Sequence, residues 1–156
     1  MAAGFEIASD LAADPVAVWV GAASFEGINA ELWPVVMHVP PQWREVDRWR
    51  PAPFLFGCWI TLFGVVPLDR HCFGLEALVA PEGFSERSST WMHKAWRHDR
   101  WLTPLPGGGT RLTDEVSFES RVPGLDRLLR PVYEAVFRRR HAVLRRVHGL
   151  WDPAPG

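Results

Sequence analysis

Apolar residues recur along this chain with two different periods, and the change between them divides it. From Pro53 to Arg121 the alternation has period two and is interrupted by turn residues. It predicts strands near 54–65, 70–80, 84–92, 95–104 and 110–120. The breaks fall at Val66-Pro67-Leu68-Asp69, at Pro81-Glu82-Gly83, at a tight turn near His93-Lys94, and at Pro104-Leu105-Pro106 with Gly107, Gly108 and Gly109. Connections this short imply an antiparallel meander. The three glycines precede a strand, so they read as a hairpin turn. A phosphate-cradling loop would open onto a helix instead.

Past the Pro123-Gly124 turn the period becomes 3.6. Leu125 to His148 is predicted as one long helix, stopped by Gly149. Its apolar face carries Leu125, Leu129, Val132, Val136, Val143, Leu144 and Val147, and the opposite face Arg138, Arg139, Arg145 and Arg146. Upstream, Phe5 to Ala12 alternates weakly as a strand. Asp14-Pro15 supplies an N-cap and a first-turn proline for a short helix containing Val16, Trp19, Val20 and Ala23. Ser24 caps a second short helix through Asn29 and Leu32. Residues 33–50 read as irregular, with a short strand near Val36 to Val39.

A curved sheet with one apolar face needs a cover, and the C-terminal helix is the only element large enough to supply it. The expected fold is therefore α+β: a curved antiparallel sheet of six to seven strands, two short N-terminal helices, and one long C-terminal helix over the concave face. It forms a single domain over 1–150 with a tail at 151–156.

Composition narrows the picture. The 156 residues are 47% hydrophobic and 22% charged, with net charge -1, which fits one globular domain and gives no overall attraction to nucleic acid. Two cysteines, Cys58 and Cys72, are too few for a disulfide framework, so free thiols in a reducing compartment are expected. Met1 to Asp10 lacks the basic and apolar stretches of a secretory leader, and the expected location is cytoplasmic. The uncharged run from Pro51 to Leu68 is short for a membrane span and is interrupted by prolines and glycines, so it reads as a buried strand. Nine Trp and nine Phe against one Tyr favour a core with room for a flat apolar ligand.

With these elements in place the chain resembles the START-like (SRPBCC, helix-grip) superfamily, which includes the birch pollen allergen and the polyketide cyclase/dehydrase-like proteins. The resemblance runs through Asp14-Pro15 with Val18-Trp19, and through Gly27-Ile28-Asn29, Glu31-Leu32 and Pro34. It continues in Trp96-Arg97-His98, in Gly109-Thr110-Arg111-Leu112-Thr113-Asp114, and in Phe137, Arg140-His141 and Leu144. Trp91-Met92-His93 stands where the superfamily usually has Gly-Pro-Phe. The resemblance implies a cavity between sheet and helix, with His98 pointing into it and Asp114 and Arg140 on its two walls. It does not select among binders, cyclases and regulators.

The candidate site residues follow. Trp96, His98, Arg100 and Leu102 share one strand face. Leu112, Asp114, Val116 and Phe118 share another, apolar except for Asp114, which is therefore expected to point into the cavity. Phe84, Glu86, Ser88 and Thr90 form a third candidate inward set, with Ser85, Arg87, Ser89 and Trp91 as the alternative. Arg140 falls within the apolar arc of the helix and His141 at its edge. A buried guanidinium needs a partner, and Asp114 or Glu86 is the expected one. The expected ligand-contacting residues are Glu86, Trp96, His98, Asp114, Tyr133, Phe137, Arg140 and His141. The same groups also fit a purely structural ion pair.

Three functions remain open. The first is binding of a hydrophobic small molecule, lipid-, aromatic- or polyketide-like. The second is a cofactor-independent cyclase or dehydratase with His98 as general acid/base, oriented by Asp114. The third is an interaction module using the arginine-rich helix face. No cofactor or metal is expected, since no His/Cys spacing matches a metal site. Nucleic acid is not an expected partner, and a homodimer is left open.

Overall fold

The computed structural model describes residues 2–153. One seven-stranded antiparallel sheet carries the fold, in the order β1-β7-β6-β5-β4-β3-β2. The strands are β1 (Ala3–Leu11), β2 (Val35–His38), β3 (Ala52–Leu62), β4 (Val66–Val79), β5 (Gly83–Thr90), β6 (His93–Pro104) and β7 (Thr110–Ser120). The helices are α1 (Pro15–Ala22), α2 (Phe25–Leu32) and α3 (Leu125–His148). The sheet curls into a half-barrel with α3 along it, the α+β helix-grip arrangement expected from the sequence.

Local chemistry sets the helix ends. The Asp14 carboxylate accepts from the backbone N–H groups of Val16 and Ala17, both at 3.0 Å, and Ser24 Oγ accepts from Gly27 N–H at 3.1 Å. These satisfy donors that a helix start leaves without partners. Asn29 then ties α2 to β2, donating to the Met37 carbonyl and accepting from the Met37 N–H. Gly149, at φ 78°, ends α3.

Two strand boundaries differ from the alternation. The β3–β4 turn falls at Phe63-Gly64-Val65, where Phe63 and Gly64 have φ 54° and 77°, and Val66 to Asp69 belong to β4. Pro67 is accommodated there because the β3–β4 register shifts between Ile60 and Thr61, and a bulge tolerates a missing N–H. The β5–β6 turn is Trp91-Met92, so His93 already belongs to β6. Leu150 bridges to Leu11 and Trp151 N–H donates to the Asp10 carbonyl, while residues 154–156 of the expected tail lie outside the described ones.

The core has three parts. One is aromatic, under α2 and the 39–49 segment, with Phe56 stacked on Phe73 at 5.0 Å. A second joins α1 to β7 and Leu144 of α3, and a third packs Phe137 against Phe5, Val116 and Phe118. The buried stripe of α3 is rotated from the expected arc. It holds Phe137, Arg140, His141 and Leu144, while Val132 and Val147 are exposed. Arg145 also leaves the expected solvated face, being half-buried and donating to Ser9 Oγ. No helix among the described residues is long and apolar enough to cross a membrane.

Candidate functional site

Strands β5, β6 and β7 are neighbours, and their register sets Glu86 opposite His98 and Arg100 opposite Asp114. Period two turns Glu86, His98 and Arg100 to the concave side. There they meet Phe137 and Arg140 of α3 across a cavity of about 390 Å³. Its walls are mostly apolar, with Phe25 and Ile28 from α2, Phe73 and Leu75 from β4, and Val136 and Phe137 from α3. His71, Glu86, His98, Arg100 and Arg140 also line it.

Behind this wall lies a buried polar network. Asp114 is fully buried and does not line the cavity, contrary to expectation. Its Oδ1 accepts from Arg100 Nε at 2.7 Å and from His98 Nε2 at 2.8 Å, and its Oδ2 from Arg100 Nη2 at 2.8 Å and His141 Nε2 at 2.9 Å. Burial pushes its carboxyl pKa up, but the Arg100 charge and hydrogen bonds, with His98 and His141, outweigh this and hold it well below the usual range. An ionised carboxylate only accepts, so His98 and His141 both carry hydrogen on Nε2. His141 Nδ1 shares a hydrogen bond with Ser9 Oγ at 2.8 Å, and the same oxygen accepts from Arg145. His141 is thus a strut between sheet and helix and does not line the cavity.

Arg140 points inward, as expected, but its partner is Glu31 of α2. Nε and Nη2 donate to Glu31 Oε2 at 3.1 and 3.0 Å. Arg100 Nη1 donates to the same oxygen at 3.1 Å. Asp114 already accepts four hydrogen bonds, two from the forked guanidinium of Arg100 on the adjacent strand and one each from His98 and His141, which fills the acceptor positions of both oxygens. Burial and the neighbouring charge of Arg100 lower the Arg140 pKa. Arg140 also lies 4.8 Å from the ring centroid of Phe137.

Glu86 belongs to the inward set. Its Oε1 accepts from His71 Nε2 and Ser88 Oγ, both at 2.6 Å, and its Oε2 lies 3.7 Å from His98 Nδ1. Burial would raise its pKa, but the charge and hydrogen bond of His71, and then the nearby His98, bring it down to about 2. Tyr133 and Trp96 line another part of the cavity. The Tyr133 hydroxyl bonds His93 Nε2 at 2.7 Å, and burial pushes its pKa up to about 12.

Thus Glu86, Trp96, His98, Tyr133, Phe137 and Arg140 reach the cavity, and Asp114 and His141 stand behind it. Three polar residues of the site were not among the expected ligand-contacting residues. Arg100 shares the parity of His98, and His71 shares that of Phe73 and Leu75 on an otherwise apolar face, so both carried a signal. Glu31, in a short helix far away in sequence, was named only through the resemblance, and nothing in the sequence paired it with Arg140. Among the described residues no group of three or more His, Cys, Asp or Glu is arranged to hold a metal ion.

The same architecture occurs in solved structures of low sequence identity. The ZhuI aromatase/cyclase from Streptomyces sp. R1128 superposes with a TM-score of 0.64 at 15% identity, over 96% of this chain and 93% of that one. A START superfamily protein from Mycobacterium smegmatis gives 0.62 at 8% identity, over 92% and 98%. Protein CV1439 from Chromobacterium violaceum gives 0.64 at 15%, over 90% and 96%. At these identities the likeness is one of fold, and the fold is the helix grip of the START-like superfamily. None of the curated proteins matches the sequence. Residues 9–148 match the model of the family described as "Domain of unknown function (DUF8410)", and the chain belongs to that family.

Proposed function

We propose that the protein binds a hydrophobic small molecule in the cavity between the sheet and α3. The observation that carries this reading is a cavity of about 390 Å³ with apolar walls and a confined group of polar side chains held in place by the network behind it. Ligand sites commonly combine these two features. The wall aromatics supply affinity by burial, and Glu86, His98 and Arg140 orient one polar end. Native mass spectrometry of the purified full-length chain, with extraction of whatever co-purifies, tests the reading alongside Nile red fluorescence titration. A co-purifying apolar molecule or saturable dye binding is expected. A bare protein that leaves the dye unaffected would overturn the reading.

A second reading rests on the 2.8 Å contact between His98 and Asp114 at the cavity wall. A histidine oriented by a buried carboxylate is suited to general acid/base work in a cofactor-independent cyclase or dehydratase. A binder returns its ligand unchanged. An enzyme turns it over at a rate that His98→Gln abolishes.

A further inference from the structure

The polar groups left open on the cavity wall specify what a ligand must bring. Among the described residues no fully buried side-chain nitrogen or oxygen lacks a hydrogen-bond partner. Glu86 Oε2 has no partner within hydrogen-bond distance, since His98 Nδ1 stands at 3.7 Å, and Glu86 lines the cavity. This oxygen therefore opens onto the cavity. The same reasoning applies to Arg140 Nη1, because Nε and Nη2 make the bonds to Glu31. The wall thus presents an acceptor from a carboxylate and a donor from a guanidinium.

The open acceptor of Glu86 decides which ligand fits. The buried cluster holds three carboxylates, Glu31, Glu86 and Asp114, two guanidiniums, Arg100 and Arg140, and three histidines, His71, His98 and His141, bonded to Glu86 or Asp114. Both guanidiniums are already bound to Glu31, and Arg100 also to Asp114. A ligand carboxylate next to Glu86 would bring two carboxylates together, and like charges repel. It would also have no proton to give to Oε2. A hydroxyl group donates one hydrogen, so it satisfies Oε2 where a carboxylate does not, and it adds no charge.

We propose that the cavity selects neutral, hydroxyl-bearing hydrophobic molecules, phenols or alcohols, over carboxylic acids of the same shape, and that Glu86 is the residue that discriminates. This rests on the reading of the cavity as a hydrophobic binding site.

The test uses the full-length chain at neutral pH with naphthalene, 2-naphthol and 2-naphthoate, measured by displacement of Nile red. Naphthalene reports the apolar cavity by itself. The expected result is that naphthalene binds and 2-naphthol binds at least tenfold more tightly than 2-naphthoate. In Glu86→Gln the amide oxygen should keep the Oε1 position, which receives His71 and Ser88, and turn its NH₂ toward the cavity. The preference for 2-naphthol should then shrink by tenfold or more. The wild-type ratio stands alone if this variant does not fold. Binding of naphthalene with 2-naphthoate equal to or tighter than 2-naphthol would overturn this inference and leave the hydrophobic reading standing. A folded Glu86→Gln protein with an unchanged ratio would also overturn it. Absence of binding by all three compounds would overturn both.

Discussion

Replacing Glu31 by Gln preserves the side chain's shape and removes the charge that two buried guanidiniums share. Arg140 and Arg100 are 5% and 0% exposed, and both donate to Glu31 Oε2 at 3.0–3.1 Å. Arg100 keeps its bidentate grip on Asp114, but Arg140 has no other carboxylate in contact. Breaking a buried pair from one side costs about 3–5 kcal/mol, a large share of the ~5–15 kcal/mol that keeps a domain folded. For a chain of this length Glu31→Gln should lower the melting temperature by about 6–20 °C. Arg140→Met should also destabilise, and the double variant should lose less than the sum, because it leaves no uncompensated charge at that position. Urea titrations of the four proteins close this cycle. A loss below about 1 kcal/mol for Glu31→Gln, the value of an exposed pair, would refute the argument. So would strict additivity, since it would mean that the two side chains do not interact.

Other outcomes follow from the same geometry. Phe137 is 4% exposed and meets Phe5 edge-on at 5.4 Å, so Phe137→Ala should cost about 3–5 kcal/mol in thermal melts. A Cβ on Gly74 would meet the backbone carbonyl oxygens of Arg87 and Pro53 on the flanking strands. Gly74→Ala should therefore force β3–β5 apart and destabilise by ~1–3 kcal/mol, visible as a lower urea midpoint. Glu86 has its pKa lowered from 4.5 to about 2 on folding, so its stabilising contribution is complete above the unfolded value and is lost as pH falls through the folded one. Acid unfolding should thus steepen between about pH 4.5 and 2, and Glu86→Gln should flatten that part of the curve.

The elements themselves were legible in the sequence because their causes are local. Alternation in β5 to β7, the Asp14 and Ser24 caps, and the glycine after α3 act over a few residues, and together they imply a sheet that needs a helical cover. Parity also brought His98, Arg100 and Asp114 to one side of the sheet. The turn positions were missed by a few residues because positive φ at Phe63 and Gly64, and a bulge that admits Pro67, depend on how β3 and β4 pair. The partner of Arg140 was decided by tertiary structure alone. Arg140 lies 109 positions from Glu31 and 26 from Asp114, and no local rule ranks the two. Asp114 is taken by Arg100 because β6 and β7 are hydrogen-bonded neighbours and set those side chains directly opposite each other. Arg140 is left to the one carboxylate that the packing of α2 against α3 brings within reach. A buried charge must be matched by whichever opposite charge the fold delivers, and that delivery depends on the path of the whole chain.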